Sequence, residues 1–340
     1  MGRKTVYNRI SKEQYKDAVN DKNKELQIDF CEYLRSIDRS EQTIYQYNND
    51  LNIFFIWNLR ENKNKFFVDI KKRDFVRFQS YCLDELKWSP KRIRRVKSTI
   101  SSLSNYIENI LDDEFDGFRG SIRKIESPVN EPSREKTIIP DEDVELLLKT
   151  LTEREEYERA CAVAICAYSG MRKAELLQMQ MSFFNDDHIV FNALYKTDKV
   201  RAKGRGKNGK QISKYVMLKA KPYIDAWREE RKRRGVNIDN MFVSFHANVW
   251  SPRKHVDSWT KEFSEIIDKD VYWHSFRHYT CTKLLNDYNL PQEVIREFFQ
   301  WNSLEMISIY NDRSAEEDFG KYFTADGVIK QEVKGISDLK

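Results

Sequence analysis

His274-Ser275-Phe276-Arg277, then Phe299-Gln300-Trp301-Asn302-Ser303, then Ser308-Ile309-Tyr310-Asn311-Asp312 are three runs near the C-terminus against which everything upstream can be read. His274 and Arg277 lie three apart at the opening of a helix that carries Phe276, Leu284 and Leu285 on other faces, so both side chains can point at one anion. Trp301 and Tyr310 follow, nine residues apart. Each residue alone has a plainer reading. A histidine is usually a satisfied structural group, as His278 would be, a tryptophan a core aromatic, and any one of 17 tyrosines a packing residue. Upstream, Ser169-Gly170-Met171-Arg172-Lys173-Ala174-Glu175-Leu176 sets a second arginine behind a glycine turn, where the amides of a helix N-terminus also favour an anion. The competing reading of Arg172 is an ordinary ion pair with Glu175, three residues on.

The 340 residues are 40% apolar, enough for two cores, and two domains are the expectation. Lys plus Arg exceed Asp plus Glu by only 59 to 54, so clustering matters more than net charge. One basic cluster comprises Lys91, Arg92, Arg94, Arg95 and Lys97, a second runs from Lys196 to Lys214, and a third holds Arg228 and Arg231 to Arg234. Five cysteines without a Cys-x-x-Cys pair, and no secretory leader, read as a reduced, cytoplasmic protein. The apolar run from Ala160 to Met171 is too short for a membrane span and reads as a buried helix.

From about Asn23 to Asn109 apolar residues recur at helical spacing, among them Phe30, Leu34, Tyr47, Leu51, Phe54 and Phe55. Ser89-Pro90 opens a helix with serine as N-cap and proline in the first turn. On it, Arg92, Arg95 and Lys97 are expected to share an exposed face while Ile93, Val96, Ile100 and Leu103 pack inward. Between Leu111 and Pro140 the pattern dissolves into acidic residues, glycines and prolines, as a linker would. Helices are expected again over Pro140 to Leu148 and Glu153 to Ala167. Strand-like runs follow over His188 to Leu194 and Ile212 to Leu218, joined by the glycine-rich basic turn Lys203 to Lys210, and helices dominate thereafter.

Two arginines, a histidine, a tryptophan and a tyrosine suit covalent phosphoryl transfer. A phosphodiester attacked by an enzyme oxygen gains negative charge on its non-bridging oxygens, which a planar guanidinium holds with paired hydrogen bonds. Lysine cannot supply that fork. A phenol, with an ordinary pKa of about 10, needs nearby cations and a proton acceptor to attack at neutral pH. His274 and His278, four apart, could begin a zinc site, yet no Glu follows the first histidine and no third ligand is evident, so no metal is assigned. No Gly-x-x-x-x-Gly-Lys-Ser/Thr phosphate loop occurs.

In this order and spacing, Arg172, a hairpin lysine, His274-x-x-Arg277, Trp301 and Tyr310 resemble the catalytic residues of the tyrosine recombinases, or phage integrases, across nearly the whole chain. Trp301 stands where most members carry a second histidine, in Phe-Gln-Trp-Asn-Ser for the commoner Leu-Gly-His-Ser-Ser. The resemblance implies Tyr310 as the nucleophile, Arg172 and Arg277 as the phosphate clamp, Trp301 as a contact through its indole N–H, and Glu175 in support of Arg172. It also gives a hairpin lysine the task of protonating the departing oxygen. Lys203 is favoured here, with Lys207 and Lys210 as alternatives, and Met217 replaces the usual proline after the second strand.

The fold implied is mainly α with a small antiparallel β-sheet, in two domains that clamp DNA. Residues 1–22 would be an N-terminal extension, too short for a separate arm-binding domain, 23–118 a helical core-binding domain, and 119–137 a linker. Residues 138–324 would be catalytic and 325–340 a C-terminal tail, and the resemblance implies that the segment after Lys321 docks on a neighbouring subunit. Lys91, Arg92, Arg95, Lys97 and Lys207 are candidate DNA contacts. The implied activity is site-specific recombination of a mobile element through a 3′-phosphotyrosine intermediate, without cofactor or metal. The implied assembly is a monomer in solution that forms a homotetramer on paired double-stranded DNA sites, with DNA-bending accessory proteins as further partners. A topoisomerase-like enzyme with the same cleavage chemistry, and an inactive DNA-binding relative, are the alternatives.

Overall fold

A computed structural model describes residues 18–129, 139–202, 204, 209–243 and 253–310, together with two short C-terminal strands. The chain divides into two compact units, one comprising Met1–Glu135 and Lys203–Gly209 and the other Lys136–Ala202 and Lys210–Lys340. Among the described residues no helix is long and apolar enough to cross a membrane.

The described residues of the first unit include four longer helices, α1 (Asp21–Ser36), α2 (Glu41–Glu61), α3 (Lys72–Asp84) and α4 (Pro90–Ile110). Side-chain oxygens of Asn20, Ser40 and Ser89 accept from backbone amides of the first turns of α1, α2 and α4, meeting donors that a helix start leaves unpaired. Phe54 of α2 is fully buried and contacts the rings of Phe67, Phe75 and Phe78, the last edge-on at 5.0 Å. Ile93, Val96, Ile100 and Leu103 turn into this core as expected. Lys97 does not share the exposed face expected for it. It is 8% exposed, and its ammonium donates to Gln79 Oε1 and to the carbonyls of Ile125 and Glu126. Arg92 and Arg95 both reach the buried Asp50 carboxylate, at 2.6 and 3.0 Å.

The second unit is mainly helical with small antiparallel sheets. It opens with α5 (Asp141–Glu153) and α6 (Tyr157–Ala167), and continues through α7 (Lys173–Leu176), α8 (Lys221–Arg233), α9 (Arg253–Ile267), α10 (Trp273–Thr282), α11 (Gln292–Phe299) and α12 (Glu305–Tyr310). Every residue from Ala160 to Ala167 is buried, because α6 is walled by α5, α8 and α10. The run from His188 to Leu194 is not one strand. Phe191 and Asn192 adopt positive φ and form a tight turn between β1 (Ile189–Val190) and β2 (Leu194–Lys196). Phe191 is 84% exposed, so no packing holds it in an extended conformation. β2 also pairs with β5 (Tyr215–Met217), while β3 (Val200–Ala202) pairs with β4 (Lys210–Ile212). Two short strands, β6 (Phe323–Thr324) and β7 (Gly327–Val328), pair with each other.

Candidate active site

Gly170 sets the geometry of the site. Its φ of +58° is one that a side chain disfavours, and a Cβ there would lie 2.3 Å from the Phe299 ring. The turn leaves its carbonyl free to accept from Arg277 Nη1 at 2.6 Å. Thr280, one turn further along α10, donates from Oγ1 to the carbonyls of Ala167 and Phe276, fastening α10 to the end of α6.

Arg277 is fully buried. Its guanidinium carbon lies 4.7 Å from the Phe299 ring centre and 5.0 Å from those of Trp301 and Tyr310. Burial, and then the charge of Arg172, push its pKa down to about 10, far enough above neutrality that the group stays charged. Nε and Nη2 of Arg277 and Nε1 of Trp301 are buried donors without a hydrogen-bond partner. Such orphans are costly inside a protein. Positive or neutral donors, gathered within reach of two guanidinium groups, fit an anion with several acceptor oxygens.

Trp301 and Tyr310 stack at 5.2 Å with their planes 12° apart, and Trp301 stacks in turn on Phe299 at 4.4 Å. The register depends on Gln300, which closes α11 in the left-handed conformation and lets the Trp301 amide donate to the Arg296 carbonyl. Thr282 Oγ1 donates to the Tyr310 carbonyl and ties α12 to α10. The Tyr310 ring is buried, and its hydroxyl meets His274 Nε2 at 3.0 Å. Burial, together with the charges of Arg277, His278 and Arg172, pushes His274 down to about 4. The imidazole is therefore neutral at physiological pH, and with its proton on Nδ1 it accepts from the phenol. His278 is buried, with its ring 4.9 Å from that of Tyr310.

Arg172 caps α7 and does pair with Glu175, but not as a surface pair. Glu175 is 1% exposed and accepts from the Arg172 backbone amide at 2.9 Å and from its Nη1 at 3.1 Å. Burial alone would raise the Glu175 carboxyl, yet Lys214, the Arg172 amide and the two guanidinium charges hold it below the usual range. Arg172, Glu175, His274, Arg277, Trp301 and Tyr310 are thus brought together. Lys203 and Lys207 lie outside the described residues. Lys210 is at the start of β4, where its Nζ donates to Asn302 Oδ1 at 2.8 Å, next to Trp301. Lys214, placed by sequence only at the end of a basic cluster, sits in a strand-like run otherwise rich in apolar residues. A lysine in such a run needs a buried partner, and that was the available signal.

Residues 137–317, more than half of the chain, match the phage integrase family. The chain is 27% identical over 302 residues to the SPbeta prophage-derived recombinase-like protein YomM of Bacillus subtilis (strain 168), spanning 86% of this chain and 89% of YomM. It is 24% identical to a tyrosine recombinase of Thermosipho africanus (strain TCF52B), across 85% of this chain and 95% of that protein. Among solved structures, the XerH site-specific recombinase in a post-cleavage complex shares the fold with a TM-score of 0.63 at 17% identity, over 90% of this chain and 89% of XerH. A lambda integrase dimer on a COC′ core site gives 0.62 at 13% identity, over 92% and 99%. The family match covers the whole run from the glycine turn to the tyrosine, and the chain belongs to the phage integrase family of tyrosine recombinases.

Proposed function

We propose that this protein catalyses site-specific recombination of double-stranded DNA through a covalent 3′-phosphotyrosine intermediate, in the service of a mobile element. The observation that carries the reading is the 3.0 Å contact between the Tyr310 hydroxyl and a neutral His274, beside an Arg277 whose Nε and Nη2 are unpaired.

In this scheme Tyr310 Oη attacks the scissile phosphorus and its proton passes to His274 Nε2. A P–O bond to tyrosine forms as the bond to the 5′ oxygen breaks. The added charge on the non-bridging oxygens is taken by Arg277, Arg172 and the Trp301 indole N–H. The departing 5′ oxygen takes a proton from a lysine of the β3–β4 hairpin, Lys203, Lys207 or Lys210. The phosphotyrosine keeps the energy of the broken ester, so a 5′ hydroxyl from a second DNA site can reverse the step. Lys91, Arg92 and Arg95 of the first unit, a core-binding domain in this reading, would contact DNA phosphates, with Asp50 holding the two arginines in place. Four copies on paired sites would complete the exchange. Solved relatives support DNA as the substrate: XerH was captured on difH and the Tn1549 transposon integrase on circular intermediate DNA.

The test traps protein on lightly nicked genomic DNA of the host, where a nick beside the cleaved bond lets the short strand diffuse away. The wild type is expected to form a detergent-resistant adduct whose phosphopeptide maps to Tyr310, and Y310F none. Equal adduct from both proteins would remove Tyr310 from the mechanism. Relaxed plasmid without recombinant product, from a substrate carrying two recovered sites, would favour the topoisomerase-like alternative.

A further inference from the structure

Lys214 has no part in the scheme above, yet no lysine in the described residues is more deeply enclosed. It lies between β4 and β5 with 0% exposure. Thr197 latches its backbone on both sides: the Thr197 amide donates to the Lys214 carbonyl, and the Lys214 amide donates to Thr197 Oγ1, each at 2.9 Å. The ammonium nitrogen is 3.4 Å from Glu175 Oε2, an ion pair too poorly aligned to be a hydrogen bond. Glu175 is the carboxylate that holds both the amide and the guanidinium of Arg172. The charged groups that face Lys214 are therefore Glu175 and Arg172 from α7 and Arg277 from α10.

Enclosing an ammonium that deeply is expensive and needs compensation. Burial lowers Lys214 to about 8 despite the pull of Glu175, and the charges of Arg277 and Arg172 add to the strain. A buried carboxylate with a single guanidinium partner forms a closed neutral pair, and the guanidinium is then a weakened ligand for any other anion. A second cation on the same carboxylate changes this. The triad keeps a net positive charge, and the carboxylate orients Arg172 without cancelling it.

We propose that Lys214 is a positioning residue that shares Glu175 with Arg172, so that Arg172 is held in place while its charge stays available to the scissile phosphate. This rests on the strand-exchange reading, in which Arg172 clamps that phosphate.

The test is a double-mutant cycle with K214M and E175Q, read as the rate of covalent adduct formation on a suicide duplex built from a site recovered with the wild type. Duplex affinity and melting temperature are measured alongside. K214M is expected to slow adduct formation by about tenfold or more, with much less change in duplex affinity, because the loss falls on the transition state. In the E175Q background the carboxylate charge is gone, so adding K214M should change the rate by less than about threefold. Equal slowing by K214M in both backgrounds would mean that Lys214 acts on DNA independently of Glu175, and would overturn the proposal. So would an undiminished rate in K214M alone. If K214M does not fold, E175Q and K214M/E175Q are compared directly, and a tenfold gap between them overturns it. Absence of any wild-type adduct would instead sink the strand-exchange reading and this inference with it.

Discussion

Replacing Gly170 with alanine tests the site where backbone, packing and chemistry meet. The φ of +58° costs a residue with a Cβ about 1–2 kcal/mol. The new methyl would also lie 2.3 and 2.9 Å from Phe299 Cε1 and Cζ, and 3.2 Å from Thr280 Cβ. Phe299 cannot retreat, because it is 1% exposed and stacked on Trp301. Overpacking of that kind costs about 1–3 kcal/mol. The sum is a loss of about 2–5 kcal/mol, read as a lower urea midpoint at unchanged slope. The Gly170 carbonyl and the Phe299 ring both position Arg277, so folded G170A should also form adduct more slowly. F299L removes the ring atoms the methyl would strike, and in that background G170A should retain only the backbone part, about 1–2 kcal/mol. A cost below about 1 kcal/mol in the wild-type background, or the same cost in both, would refute the packing argument.

The pH dependence of stability carries two opposed signals. His274 binds its proton less well folded, at about 4, than unfolded, so the wild type loses stability as pH falls from about 6.5 toward 4. H274Q should gain on the wild type across that window by on the order of 1–3 kcal/mol, and parallel curves would contradict a buried neutral imidazole. Glu158, 5% exposed and donated to by the Val243 amide, is raised by burial to about 7. Between about 4.5 and 7 the folded state keeps a proton that the unfolded state releases, so this group costs stability as pH rises. E158Q should therefore gain on the wild type between pH 4.5 and 8, and a constant difference would count against the raised carboxyl. R277K keeps the charge but loses the fork, and adduct formation should fall about a hundredfold or more. Retention of more than a tenth of the rate would show that a point charge suffices.

Local chemistry was legible in the chain itself. Ser89-Pro90 announced a helix start, the three- and four-residue spacing of Phe, Leu and Ile announced buried helix faces, and the order and spacing from Arg172 through His274 and Arg277 to Tyr310 announced the family. These depend on neighbours within a turn or two, or on an ordered set of residue types, and both are written linearly. What required the tertiary structure was the fate of each charge. Lys97 looked like one more cation on a basic helix until two carbonyls of a distant segment captured it. The competing reading of Arg172, an ordinary ion pair with Glu175, gave way to a half-buried arginine that shares an enclosed carboxylate with the buried Lys214. The neutral state of His274 came in large part from the same source, since desolvation in the folded core and the charges of Arg277, His278 and the sequence-distant Arg172 lowered its proton affinity. Sequence spacing names which ionisable groups a chain owns. Their pairing and protonation depend on dielectric and distance, and those quantities exist only once segments more than a hundred residues apart, such as Gly170 and Arg277, have been brought into contact.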